Sequence, residues 1–154
     1  MVDRLLIRTD GASRSNPGPA SAGAVLIDAS LPNATAVDAP VVSVVARPLG
    51  IQTNNVAEYT ALVLALREAL RLGATSIDLR LDSKLIVEQL HGRWKVKDAK
   101  MREFWTEARS LLAGFESWDA THEPRATNKA ADALANLALD DPAAAAQLEA
   151  KYRA

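Results

Sequence analysis

Apolar and polar residues change their period along this chain, and each change marks an element. Leu5-Leu6-Ile7-Arg8-Thr9 predicts a strand, closed by Asp10-Gly11. The stretch 13–19, centred on Asn16-Pro17-Gly18-Pro19, is turn chemistry. Ala22 to Ile27 and the valine-rich Val41 to Ala46 predict two further strands, joined by the polar, proline-containing connection 28–40. From Asn55 to Leu72 the residues Val56, Leu62, Leu66, Ala69 and Leu70 recur at helical spacing, and Gly73 supplies the stop. Ile77, Leu79 and Leu81 then alternate as a strand ending at Asp82, with Ser83 as N-cap of a helix to Leu90. A helix over about 101–113 stops at Gly114, a fifth strand covers 115–121, and a helix follows over about 127–139. Asp141-Pro142 can open a short last helix; the alanine-rich tail 143–154 reads as helix or linker.

The order β-β-β-α-β-α-α-β-α predicts an α/β fold: a mixed sheet, antiparallel at the first three strands and parallel after a right-handed crossover, flanked by helices. Strands one, four and five then run the same way. Asp10 and Asp82 fall at one sheet edge, where open α/β sheets place their sites. With 154 residues and 49% apolar composition, the chain reads as one ordered domain. We divide it into a catalytic unit, 1–140, and a C-terminal helix or tail, 141–154.

Composition narrows the chemistry. The absence of cysteine removes disulfides, thiolate zinc sites and thiol nucleophiles, and fits a cytoplasmic protein. The opening MVDRLLIRTDGAS lacks the apolar core of a signal peptide, and no run reaches the roughly 20 apolar residues of a membrane span. Net charge is −1, so nucleic-acid binding would have to come from a local patch. The densest one, Arg93 to Arg102, holds five basic residues against one acidic; charge alone equally describes a solvated loop.

Four carboxylates stand in distinctive surroundings: Asp10 in TDGASRSNPGP, Glu58 in TNNVAEY, Asp82 in LDSKLIVEQL and Asp132 in HEPRATNKAADALA. A single such group is ordinarily a surface charge. Four that converge make a cage for divalent cations and point to metal-assisted phosphodiester cleavage. Two of them at the ends of neighbouring strands would repel each other unless a cation held them.

In this order these motifs resemble the type 1 ribonuclease H family over about 4–140, in its short form without an elongated basic handle. The resemblance implies a ribonuclease-H-like fold of five strands and an endonuclease that hydrolyses the RNA strand of RNA/DNA hybrids, leaving 5′-phosphate and 3′-hydroxyl. It implies that Asp10, Glu58, Asp82 and Asp132 hold two Mg²⁺ ions, with Mn²⁺ as a substitute. It gives His122 a proton-shuttling or product-release role, against the plain reading of an exposed loop histidine. For substrate contact it points to Gly11, Ala12, Ser13, Asn16, Asn54 and Asn55 in the minor groove and to Thr53 at a DNA phosphate. Asn16 also reads as a turn asparagine. Asn128, one helical turn before Asp132, would position the loop or the carboxylate, or simply start the helix. Trp94 has two readings, packing on DNA sugars or in the core; Trp105 and Trp118 are assigned to the core. Ser15, Ser21, Lys84 and Glu88 depart from the family pattern, and Glu88 would sit unfavourably near a phosphate. The expected partner is an RNA/DNA hybrid, met by a monomer away from any membrane. Two rivals stand beside this reading: an inactive ribonuclease-H-like binding module, and a related nuclease such as a junction resolvase.

Overall fold

The computed structural model describes residues 2–153. Its five strands are β1 (Arg4–Ser13), β2 (Gly18–Asp28), β3 (Ser43–Gln52), β4 (Ser76–Leu81) and β5 (Ser117–His122), in the sheet order β3-β2-β1-β4-β5. β2 is antiparallel to β1 and β3, whereas β4 runs parallel to β1 and β5 parallel to β4. The predicted mixed sheet is therefore the observed one. Helices α1 (Asn54–Arg71), α2 (Lys84–Leu90) and α3 (Ala99–Leu112) cover one face; α4 (Lys129–Asp140) and α5 (Pro142–Arg153) cover the other.

Burial on both faces explains why β1 opens as an unbroken apolar run rather than an alternation. Leu5 and Ile7 join the core beneath α1 with Leu62, Leu66 and Leu79, while Leu6 joins Val25, Ile27, Leu134 and Ala138 beneath α4. Arg8 follows on the α4 face, buried, and its charge is met by Glu123 at 3.0 Å.

Several boundaries differ from the sequence expectation. β1 does not stop at Asp10-Gly11. Its pairing with β4 ends at Thr9–Leu81, but its pairing with β2 continues to Ser13–Ala20, so only the parallel side of the strand terminates there. β3 starts and ends later than predicted; its second half, RPLGIQ, lacks a strand-like pattern and is held by β2 across a register shift at Ala20/Ser21. β5 reaches His122, which is the last residue of the strand rather than the first of a loop. α4 starts at Lys129, after a single 3-10 turn at Arg125–Thr127. The tail is helical from Pro142 to Arg153. It buries Ala145, and its Glu149 carboxylate accepts the Ala46 N–H at 2.7 Å and pairs with Arg47 at 3.3 Å.

Two glycines set how near the helices come to the sheet. A Cβ on Gly11 would lie 2.2 Å from the Glu58 nitrogen of α1, and one on Gly23 would lie 2.2 Å from the Ala131 oxygen of α4. Both obstacles are backbone, so neither helix could seat as it does against any larger residue.

Candidate metal centre

The four carboxylates reach one place from four elements. Asp10 rides on β1, Asp82 directly follows β4, Glu58 lies in α1 and Asp132 in the first turn of α4. Carboxylate oxygens of Asp10, Glu58 and Asp82 lie within 4.8 Å of one another. Asp132 stands outside that group of three but near enough to Asp10 to raise its pKa. The seating of α1 on Gly11 delivers Glu58; the seating of α4 on Gly23 delivers Asp132. α4 is further fixed by Asn128, whose Nδ2 donates to the Thr9 carbonyl at 2.8 Å, and by Ser21, whose hydroxyl donates to the Ala135 carbonyl at 2.6 Å. Ser21, a departure from the family pattern, thus ties β2 to the helix that carries Asp132.

Like charges in a confined place resist ionisation. Burial pushes the Asp10 carboxyl up to about 8, helped by the nearby Asp132 and by the charges of Asp82 and Glu58. Burial and the Asp82 charge raise Glu58 to about 7, against the opposing influence of the Ser83 hydroxyl and Arg125. Asp10 Oδ2 is buried without a hydrogen-bond partner among the described residues, as is Asn128 Oδ1. Three crowded carboxylates, one of them with an unpartnered buried oxygen, fit a hard divalent cation, which takes oxygen ligands and relieves the repulsion.

Beside the cluster lies a groove of about 380 Å³ lined by Asp10, Gly11, Ala12, Ser13, Asn54, Glu58, Asp82 and Arg125. Gly11, Ala12, Ser13 and Asn54 are thus brought to the carboxylates. The Asn16 side chain accepts the Asn54 N–H at 3.2 Å, and Thr53 caps α1 by accepting the Val56 N–H at 3.3 Å. Asn55 is exposed in the first turn of α1. Thr53 lines a second hollow, with Pro17, Ile51, Val56, Lys100 and Met101. Asn128 turns inward onto Thr9 and is buried, which suits positioning rather than substrate contact. His122 is exposed and paired in register with Leu81, the residue before Asp82.

Trp94 is 45% exposed, which removes the core reading; it lines a separate hollow with Leu85, Gln89, Arg93, Lys95 and Lys97, and Lys84 lies over its ring. Trp105 and Trp118 are partly buried against the main core, Trp105 donating to the Gln89 carbonyl at 2.9 Å. Glu88 does not stand as a free charge: it binds Arg93 through two contacts, of 2.5 and 3.1 Å.

Three contributors were not singled out from sequence. Arg125 lines the groove and biases Glu58, and its signal was the arginine in the HEPR motif. Glu123 in the same motif binds Arg8 and Arg80. Gly23 carried no signal, because its role is a contact with a helix more than a hundred residues away.

A β3-β2-β1-β4-β5 sheet with a carboxylate cluster at the end of its central parallel pair defines the ribonuclease-H-like class. Comparison with known proteins narrows the class. A family model described as reverse transcriptase-like matches residues 8–138. Ribonuclease HI of Halobacterium salinarum is 48% identical over 86% of this chain, and Ribonuclease H of Chromohalobacter salexigens is 35% identical over 94% of this chain and 89% of that protein. The chain spans 62% of the length of the Halobacterium relative and 38% of a Mycobacterium tuberculosis relative named as a bifunctional protein. The crystal structure of RNase H1 from Halobacterium salinarum matches with a TM-score of 0.81 at 47% identity, over 90% of this chain and 98% of that one. The structure of LC11-RNase H1 in complex with an RNA/DNA hybrid matches with a TM-score of 0.80 at 33% identity, over 90% of this chain and 98% of that one. The chain belongs to the type 1 ribonuclease H family, whose members depend on divalent metal ions.

Proposed function

We propose that this protein is an endonuclease that hydrolyses the RNA strand of RNA/DNA hybrids, with Asp10, Glu58, Asp82 and Asp132 holding two Mg²⁺ ions that Mn²⁺ can replace. The observation that carries the reading is the approach of carboxylate oxygens of Asp10, Glu58 and Asp82 to within 4.8 Å of one another. When bound, the ions supply an activated water and stabilise charge on the leaving oxygen. The chain's own residues do the rest. Asp10, set on the rigid centre of the sheet, gives the site a fixed reference. Glu58 and Asp82 hold the groove side, and Asp132 closes it from the α4 face. The backbone of Gly11–Ser13 and the Asn54 side chain line the groove where a 2′-hydroxyl, both donor and acceptor, can be tested. Arg125 puts a positive charge beside Glu58 for the incoming phosphate. His122, exposed at the edge of the sheet, can move a proton at the leaving 3′ oxygen. Asn16, Thr53, Asn55 and Trp94 flank the groove as contacts for the two strands. Cleavage then leaves 5′-phosphate and 3′-hydroxyl ends.

The hybrid-bound LC11 relative supports the substrate. The reading includes a monomer acting in the cytoplasm; no helix among the described residues is long and apolar enough to cross a membrane. One gel decides among the rivals. Labelled hybrid, duplex DNA, duplex RNA and a four-way junction are incubated with protein and Mg²⁺. Cleavage of the hybrid's RNA strand, abolished by chelator, is expected. Binding without cleavage would favour the inactive module, and cutting of the junction alone would favour a resolvase.

A further inference from the structure

Beneath the loop that joins β5 to α4 lies a part-buried ionic network that the chemistry above does not use. Glu123 follows His122 and is tied down by its backbone, whose N–H donates to the Leu81 carbonyl at 2.8 Å. Its carboxylate turns inward. Oε1 accepts from Arg8 Nε at 3.0 Å and lies 3.2 Å from the Thr127 hydroxyl, which it shares with the Pro124 carbonyl at 2.8 Å, and Oε2 accepts from Arg80 Nη1 at 2.9 Å. Arg8 itself is 2% exposed and also donates to the Thr35 carbonyl at 2.9 Å; Arg80 forks onto Asp78. One side chain thus joins β1, β4 and the far end of its own loop.

The two arginines and two carboxylates balance in charge, and removing Glu123 would strand the buried Arg8 without its counter-charge. The loop is consequently held at Glu123, at Thr127 through the same carboxylate, and at Asn128 through the Thr9 carbonyl. Between these anchors stand Pro124, Arg125 and Ala126. Immediately before the first anchor stands His122. We infer that Glu123 is a positioning residue, which fixes His122 and Arg125 relative to the carboxylates through its ion pairs with Arg8 and Arg80. The inference rests on the hydrolytic reading above, because it assigns the network a part in that reaction.

The test is a double-mutant cycle. Glu123→Gln should lower kcat on a hybrid substrate about tenfold, a part of what general acid–base help supplies, with KM within about twofold. On a His122→Ala background the same change should cost less than about twofold, because the residue it positions is gone. Equal losses on both backgrounds, or a loss confined to KM, would overturn the inference. Thr127→Val removes the hydroxyl contacts to Glu123 and to the Pro124 carbonyl and spares the ion pairs. It guards against misfolding of the first variant and should give a smaller loss with the same dependence on His122. Amide hydrogen exchange separates this inference from the functional reading. Protection of the Glu123 and Asn128 N–H groups should fall about tenfold or more in Glu123→Gln, whether or not hybrid is cut. Unchanged exchange would refute the anchoring role, whereas lost anchoring in a protein that never cuts hybrid would refute the functional reading instead.

Discussion

Asp10 on β1 and Gly23 on β2 are cross-strand partners. The carboxylate with the orphaned oxygen therefore sits opposite the residue that lets α4 lie against the sheet. The Gly23→Ala methyl would stand 2.2 Å from the Ala131 carbonyl oxygen and 2.7 Å from the Ala135 nitrogen. Backbone cannot swing aside as a side-chain tip can, so α4 must shift and carry Asp132 with it. We expect a stability loss of about 1–3 kcal/mol, the usual cost of overpacking, and a loss of Mg²⁺ affinity. Thermal unfolding beside a calorimetric Mg²⁺ titration checks both; unchanged metal affinity would show that α4 absorbs the methyl without moving Asp132.

Asp10→Asn should retain the fold and remove nearly all turnover, because a ligand charge is lost. The same variant makes a pH prediction. In the folded, metal-free protein the Asp10 carboxyl is raised from 3.8 to about 8. Between those values the folded state keeps a proton that the unfolded chain releases, so this group's contribution to stability falls as pH rises. Metal-free wild type should lose melting temperature from pH 5 to pH 8 more steeply than Asp10→Asn, and Mg²⁺ should narrow the gap. Parallel melting curves in chelator and in Mg²⁺ measure it. A variant less stable than wild type at pH 8 in chelator would contradict the charge crowding.

His122→Ala should slow cleavage without abolishing it. In the proposed reaction the ions held by the carboxylates would supply the nucleophile, and an exposed histidine can be replaced in part by water. We expect kcat to fall by up to about a hundredfold, the low end of general acid–base catalysis, with metal binding intact. Single-turnover kinetics on a hybrid give the value; complete inactivity would mean that His122 has another task.

The Arg93–Arg102 stretch divides once Glu88 is taken into account. Arg93 is engaged by Glu88 at 2.5 Å, which leaves Lys95 and Lys97 as the charges of this stretch that line the Trp94 hollow outside any ion pair among the described residues. Each phosphate contact adds about −0.9 to the slope of log K against log salt. Replacing Lys95 and Lys97 with Gln should flatten the slope by roughly two units, whereas Glu88→Gln should free Arg93 and steepen it by up to about one. Hybrid affinity titrated against salt in Ca²⁺ reads both changes. An unmoved slope would return the patch to a solvated surface.

The sheet and the four carboxylate-bearing segments were readable because local pattern and tertiary role agreed there. Leu5–Thr9, Ile77–Leu81 and the α1 stripe each carry their period in plain view. The extension of β1 past Asp10-Gly11 was hidden, because a strand can end on one side and continue on the other. The second half of β3 was hidden because Pro48 and Gly50 are breakers that pairing with β2 overrode. Within the site, the carboxylates were legible through their motifs. Glu123 and Gly23 were not, since the value of each lies in a partner distant in sequence, Arg8 in one case and Ala131 in the other.

The contact between Glu149 and the Ala46 N–H bears on how this molecule meets copies of itself. β3 is an outer strand of the sheet. Alternate residues of such a strand point their N–H groups away from the sheet, and an incoming strand docks onto that row. At Ala46 the outward N–H is already taken, at 2.7 Å, by a carboxylate from α5. At Pro48, two residues on, the group does not exist. The last helix therefore insulates the sheet margin against strand addition, and a chain lacking it would present open hydrogen-bonding groups along β3 to its neighbours.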